Sequence, residues 1–286
     1  DLSIGMLYAF MAYRRHLTAA ITSLVRELVK YLMLSLHIER LSDIRNTPSE
    51  FPEVRLPVPI DGAIKVINIG YRFSEHQPWV IKNLNFELGA GEVMGITGPS
   101  GCGKSTLLGI IQSLIKSQEG EIEIDGLPLS IVGSQSLRWY SSSVLQEDVL
   151  FSGTIKSNIT FNTAFVNMER VREVAKIAAI DQDITNLPLG YDSQIGEMGT
   201  VLSAGQQQRV LIARALYQQP KILLLDEGTA HLDKQTEAVV MQNIKALGIS
   251  CIFVSHNQTL MSLADKILVM EKDGYKLQRV STTVNV

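Results

Sequence analysis

The chain has 286 residues, room for about two domains at ~150 residues each. Its 26 basic and 29 acidic residues leave a net charge of −3, a balance that argues against a mainly electrostatic nucleic-acid binder. Hydrophobic residues make up 45% and charged residues 19%, which is globular composition and excludes disorder for most of the chain.

The sequence opens on Asp1 rather than Met, and we expect a piece of a longer chain. No secretory leader is legible. The longest uncharged apolar run near the start, Leu2 to Tyr13, is 12 residues, whereas a bilayer-spanning helix needs about 20. Residues 1–45 hold no proline and only Gly5 among glycines, and they read as one long helix. Thr22, Arg26, Lys30, His37 and Arg40 share one face, and Ile21, Leu24, Leu28 and Leu32 lie opposite. Met33 interrupts the polar face. Periodicity alone leaves two readings open: a helix packed on its own domain, or the last helix of a membrane domain. Residues 46–62 contain Pro48, Pro52, Pro57 and Pro59, the pattern of a stiff extended linker.

From Ala63 onward strands and helices alternate. Strands are expected at 63–69, 85–88, 93–97 and 121–124, and a helix at 104–115. A more polar, helical stretch fills about 154–217. The short apolar runs 221–225 and 250–254 read as strands buried on both faces, with a helix at 234–247 between them. A strand at 266–271 and a turn at 272–274 close the pattern. The fold class is therefore α/β with a mostly parallel core sheet, a strand-rich start and a helical insertion.

Gly98-Pro99-Ser100-Gly101-Cys102-Gly103-Lys104-Ser105-Thr106 fits G-x-x-x-x-G-K-[ST] between an expected strand and an expected helix. Glycines at 98, 101 and 103 let the backbone curl so that amide N–H groups and the helix N-terminus form an anion cradle. Lys104 would meet the β- and γ-phosphates of ATP, and Ser105 would offer a hydroxyl to Mg²⁺. The apolar run Ile222 to Leu225 ends in Asp226-Glu227. In a P-loop protein an acid at a strand tip holds Mg²⁺, which suits Asp226. Glu227 is placed to polarise the attacking water. Cys102 and Cys251 lie 149 positions apart, too isolated for a disulfide framework or a CxxC metal site. Cys102, inside the loop and near Lys104, is expected to be the reactive thiol of the two.

Leu202-Ser203-Ala204-Gly205-Gln206 precedes Gln207-Gln208-Arg209, and Gln206 stands 20 residues before Asp226. Alone, such a stretch is most simply a helix N-cap. In this order with the other motifs it resembles the LSGGQ signature of ABC ATPases. The resemblance covers residues 63–286. It implies a P-loop NTPase core with an antiparallel β subdomain and a helical subdomain, preceded by the helical tail of a membrane domain. It assigns Gln146 to the Q-loop, as a sensor of Mg²⁺ and the attacking water, and His256 to the switch that contacts the γ-phosphate. Leu232-Asp233 matches the end of the D-loop. Phe73, 25 residues before Gly98, matches the aromatic that stacks on adenine, with Tyr71 as a nearby alternative. Ser203, Gly205, Gln206 and Asp233 are expected to complete ATP binding across a head-to-tail dimer.

Three features resemble exporters. Leu150-Phe151-Ser152-Gly153-Thr154-Ile155 with Asn158-Ile159 follows Gln146. Gly196-Glu197-Met198-Gly199 resembles the X-loop that touches the coupling helices of a membrane domain. Residues 1–45 resemble the end of the membrane domain in bacteriocin exporters of the colicin V type. Those implied partners are a second copy, a transmembrane domain of the same chain and a bacteriocin-like peptide, with no nucleic acid. The implied location is a bacterial inner membrane, with the ATPase on its cytoplasmic side. The implied domains are 1–45 (membrane-domain tail), 46–62 (linker) and 63–286 (nucleotide-binding domain). Three departures stand out: Ala204 for the usual glycine, Gly228-Thr229-Ala230 for the usual Ala-Thr-Ser, and phenylalanine for the usual tyrosine at 73. Two competing readings are a soluble ABC ATPase acting on DNA or ribosomes, and an ATP-gated interaction module with weak hydrolysis.

Overall fold

A computed structural model describes residues 3–47, 58–161, 163, 165–196, 202–226, 228–229, 232–271 and 274–280. The chain divides into two compact units, Asp1–Arg55 and Leu56–Val286. The first is a single helix, α1 (Ile4–Asn46), whose N-cap Ser3 accepts a hydrogen bond from the Met6 N–H. Its side chains include no buried residue. Among the described residues no helix is long and apolar enough to cross a membrane.

The second unit is built on two main sheets. Strands β1 (Ile64–Tyr71), β2 (Ile81–Leu88), β4 (Glu119–Ile124) and β5 (Leu127–Pro128) form an antiparallel sheet in the order β2-β1-β4-β5. Between β4 and β5, Asp125 and Gly126 both take positive φ, the tight two-residue turn that the Asp-Gly pair favours. The second sheet runs β12-β11-β3-β10-β9-β6. Its strands are β3 (Val93–Thr97), β6 (Ser141–Val144), β9 (Ile222–Asp226), β10 (Ser250–Val254), β11 (Lys266–Glu271) and β12 (Gly274–Arg279). All are parallel except β12, which pairs antiparallel with β11. Every residue of β9 and β10 is buried, so the continuous apolar runs reflect a sheet covered on both faces.

Helices α2 (Lys104–Ile111), α3 (Leu129–Val132) and α4 (Ser134–Tyr140) follow the phosphate loop and the first sheet. The insertion carries β7 (Gly153–Thr154), α5 (Ile155–Thr160), α6 (Met168–Ile177), α7 (Asp181–Thr185) and β8 (Gln194–Ile195), and it returns through α8 (Ala204–Tyr217). Helices α9 (Lys234–Ala246) and α10 (Gln258–Met261) lie between the last parallel strands. Two apolar cores result. One joins β3, β9 and β10 to the helical insertion through residues such as Val171, Val174, Val210 and Phe253. The other joins the antiparallel sheet to α2 and the opposite face of the parallel strands through Ile64, Leu84, Leu107 and Ile252.

Several elements differ from expectation: β2 begins at Ile81 rather than 85, and β5, α3, α4 and β12 were not expected. The helix after the phosphate loop stops at Ile111 rather than 115. Ser113 takes φ 57°, and the Leu114 and Ile115 N–H groups fold back on the Gly109 carbonyl. That closure satisfies carbonyls at the helix end. Strand β6 was not expected, because Ser141-Ser142-Ser143 carries no strand preference. Its pairing with β9 at Ser141–Val144 makes it an edge strand.

Candidate functional site

The site begins at the tips of four neighbouring strands. In the order β3-β10-β9-β6, each parallel strand delivers one expected site segment just beyond its carboxyl end. β3 leads into Gly98, β10 into His256, β9 ends on Asp226, and β6 leads to Gln146. Val254 is paired with both Ile96 and Asp226, so the three central tips are level. The crevice beyond the carboxyl ends of parallel strands is where open α/β sheets bind ligands.

The phosphate loop has the backbone that its glycines were expected to supply. Gly98, Gly101 and Gly103 have φ of 152°, 78° and 97°. A Cβ on Gly98 would stand 2.2 Å from the Met270 carbonyl oxygen, so a side chain there would drive the loop off β11. Gly103 is the left-handed cap of α2, a conformation that favours glycine. The Lys104 ammonium donates to the carbonyl oxygens of Gly98 and Pro99, both at 2.9 Å, and its side chain is buried. Those two bonds hold the ammonium against the loop. Ser100, Gly101 and Ser105 are exposed, and Thr106 is half-buried. The loop therefore fits a nucleotide phosphate chain.

Asp226 is buried at the end of β9, whereas Gln146 and His256 are exposed. No cluster of three or more His, Cys, Asp or Glu able to hold a metal occurs among the described residues. The donor set of Ser105, Gln146 and Asp226 suits Mg²⁺, which keeps much of its shell as water and phosphate oxygen. Glu227, Ala230 and the X-loop residues Glu197 to Gly199 lie outside the described residues.

The signature segment caps a helix. Ser203 accepts from the Gln206 N–H at 3.2 Å, while the Gln206 side-chain oxygen accepts from the Ser203 N–H at 3.0 Å. This reciprocal box satisfies two donors at the start of α8. Gln206 also donates to Asp183 at 2.9 Å, and Arg209 reaches the same carboxylate at 3.0 Å and the Ala179 carbonyl. Gly205 is half-buried within the first turn, and Ala204 opens the helix with its methyl exposed. Asp233 caps α9, accepting from the Gln235 and Thr236 N–H groups at 3.1 and 3.0 Å. Hydrogen bonds from Thr236 hold its carboxyl below the usual carboxylate range.

The two candidate aromatics differ in their surroundings. β1 ends at Tyr71, paired with Ile81, and Phe73 lies beyond the strand. Tyr71 packs against the core, and Phe73 stands beyond it, 65% exposed, with the rings edge to face at 5.4 Å. Only Phe73 has a free face. Phe73→Ala is expected to weaken nucleotide binding by about 1–3 kcal/mol, the range for aromatic–base stacking. Tyr71→Ala should cost less in a titration with a fluorescent ATP analogue; the opposite order would move the stacking site to Tyr71.

Cys102 lies in the loop, but its thiol is buried in the core behind it. It lines a cavity of about 330 Å³ with Trp79, Met270 and Tyr275. The thiol expected to be reactive is thus a packed one, bordered by residues of β2 and β11 that line the same cavity. Cys251 is wholly buried in β10, and burial pushes its thiol up to about 12. Iodoacetamide at pH 8 should label both slowly, with Cys102 ahead because it borders a cavity. Peptide mapping by mass spectrometry checks this, and equal or reversed rates would contradict the placement.

Three further residues were not legible as functional. Glu237 and Asn257 line one cavity with His256, and the Asn257 side-chain amide donates to the Glu237 carboxylate at 2.7 Å. Arg214 on α8 donates to Asn158 through the backbone oxygen at 2.8 Å and the side-chain oxygen at 2.6 Å, and to Val149 at 3.3 Å. It thereby ties the signature helix to the segment that follows Gln146. In sequence Glu237 reads as a polar position of the helix expected at 234–247, and Asn257 as a polar residue in the loop after the strand 250–254.

Comparison with known proteins decides the family. The family model described as "ABC transporter" matches residues 81–230, more than half of the chain. The chain belongs to the ABC transporter family. It includes the ATP-binding domain of such a protein. It is 38% identical over 275 residues to the leukotoxin translocation ATP-binding protein LktB of Mannheimia glucosida, and likewise to LktB of Mannheimia haemolytica and Bibersteinia trehalosi. Those matches cover 95% of this chain and 39% of each relative, so the chain spans about two fifths of their length. A solved bacterial Atm1-family ABC exporter with ATP bound matches with TM-score 0.77 and 33% identity, over 87% of this chain and 44% of that one.

Proposed function

We propose that this chain drives export of a polypeptide of the bacteriocin or toxin class across a bacterial inner membrane, by ATP hydrolysis on the cytoplasmic side. The observation that carries the reading is the convergence of Gly98–Thr106, Asp226, Gln146 and His256 at four adjacent strand tips. The similarity to LktB, a leukotoxin translocation protein, supports a polypeptide cargo. Similarity to an exporter with ATP bound supports the transport class.

In this reading Phe73 stacks on the adenine, and the loop amides with Lys104 hold the phosphates. Ser105, Gln146 and Asp226 hold Mg²⁺, which supplies charge neutralisation at the phosphates. Glu227 takes the proton of the attacking water, and His256 contacts the γ-phosphate. Lys104 stabilises the charge that develops on the transferred phosphoryl group. Two copies stack head to tail, so that Ser203, Gly205 and Gln206 of one meet the nucleotide held by the other. An N-terminal dipole and exposed N–H groups at α8 suit that contact. A groove of about 420 Å³ lined by Trp139, Phe161 and Arg214 lies beside the segment following Gln146. Exposed Val149 and Phe151 extend it with apolar surface, a suitable seat for the membrane domain.

The test is ATP turnover by the whole transporter in proteoliposomes, with and without leader-bearing peptide. Stimulation by the peptide and export of it support the reading. Turnover indifferent to any polypeptide, or stimulated by nucleic acid instead, contradicts it.

A further inference from the structure

Glu237 is a buried carboxylate that the hydrolytic scheme does not use. It stands in the first turn of α9, where the helix N-terminus favours negative charge. One carboxylate oxygen accepts from the Thr229 hydroxyl at 2.6 Å, a contact buried between the two side chains. The other accepts from the Asn257 side-chain amide at 2.7 Å. Thr229 follows Asp226 by three residues, and Asn257 is the residue after His256.

The orientation of Asn257 is determined by its other bonds. Its side-chain oxygen accepts from the Thr259 N–H at 3.0 Å as the cap of α10, which leaves the amide NH₂ for Glu237. Its backbone N–H donates to the Ser255 hydroxyl at 3.0 Å, and the Ser255 N–H donates to the Ile96 carbonyl on β3. A single side chain therefore clamps the turn after β9 to the loop after β10.

We infer that Glu237 is a positioning residue for hydrolysis: it ties the loop that carries His256 to Thr229, three residues beyond Asp226, at the end of the site where the proposed function puts the γ-phosphate. The inference rests on the proposed roles of Glu227 and His256. The bonds, rather than the charge, carry the clamp. Glutamine can accept from Asn257 through its oxygen and donate to Thr229, whose hydroxyl can rotate to accept. Nucleotide affinity is set elsewhere, at Lys104 and Phe73, so loss of the clamp acts on turnover and leaves KM alone.

Steady-state Mg·ATP hydrolysis by the purified chain tests this, at a concentration that supports dimerisation and at a temperature below each variant's Tm. Glu237→Ala is expected to lower kcat about ten-fold or more, because small misplacements of reacting groups cost up to about 100-fold. KM should stay within about two-fold, since the nucleotide contacts are untouched. Thr229→Val, which removes one bond without opening a cavity, should lower kcat in the same sense. Combined with Glu237→Ala it should add nothing. Glu237→Gln should restore most of the rate. His256→Ala in the same assay checks the underlying reading separately: parent turnover there overturns the role of His256, not the clamp. With His256→Ala inactive, a folded Glu237→Ala or Thr229→Val protein at the parent kcat overturns the inference. A Glu237→Gln protein as slow as the alanine variant also overturns it.

Discussion

Lys104→Ala should abolish measurable ATP turnover, with kcat/KM falling by about 100- to 1,000-fold, the scale of removing one preorganised electrostatic group. The reason is positional. The ammonium is buried and already fixed by the Gly98 and Pro99 carbonyls, so little reorganisation accompanies phosphate binding. Alanine removes the only cationic side chain in the segment Gly98–Thr106. The amide cradle would remain, because the positive φ values belong to glycines that the substitution does not touch. Residual weak binding with no turnover is therefore the expected pattern. Equilibrium binding of a fluorescent ATP analogue, followed by a phosphate-release assay, separates the two. Unchanged affinity and turnover would remove the phosphate-loop assignment.

Glu227→Gln should bind Mg·ATP and accumulate as a stable head-to-tail dimer. Glutamine has nearly the shape of glutamate but cannot take a proton from water at neutral pH. In the proposed site it would also remove a negative charge near the γ-phosphate. Hydrolysis is what would separate the two copies, so its loss leaves the nucleotide bridging them. Turnover should drop by about 100-fold or more, within the range for general-base catalysis. Size-exclusion chromatography with light scattering should show a dimer in ATP and a monomer in ADP. A variant monomeric at saturating ATP, or one that hydrolyses at the parent rate, contradicts the role.

The local motifs were legible because they depend on near-neighbour physics. The phosphate loop needs glycines at set positions, and those φ values appear at Gly98, Gly101 and Gly103. The strands β3, β10 and β11 follow the expected bounds closely, since uninterrupted apolar runs are read directly. The Ser203 cap was legible for the same reason, as a side chain that reaches the backbone within three residues. Strand β6 was not, because three serines become a strand only when β9 supplies the partner. Cys102 lies in the loop as read, but its burial was not legible, because that depends on β2 and β11 packing behind the loop.

The amino-acid sequence by itself determined the resemblance to the family, the phosphate-binding loop and the acids at the end of one strand, and it left Phe73 and Tyr71 as the two candidate aromatics. Each of these is a pattern of residue types at fixed spacing, and such spacing survives without knowledge of distant contacts. The tertiary structure alone decided that the tips of β3, β10, β9 and β6 stand side by side. It also decided that Phe73 rather than Tyr71 keeps a free face, and that Glu237 joins Thr229 to Asn257. Strand order and burial arise from packing between segments many residues apart, and those long-range contacts leave no local trace in a single chain.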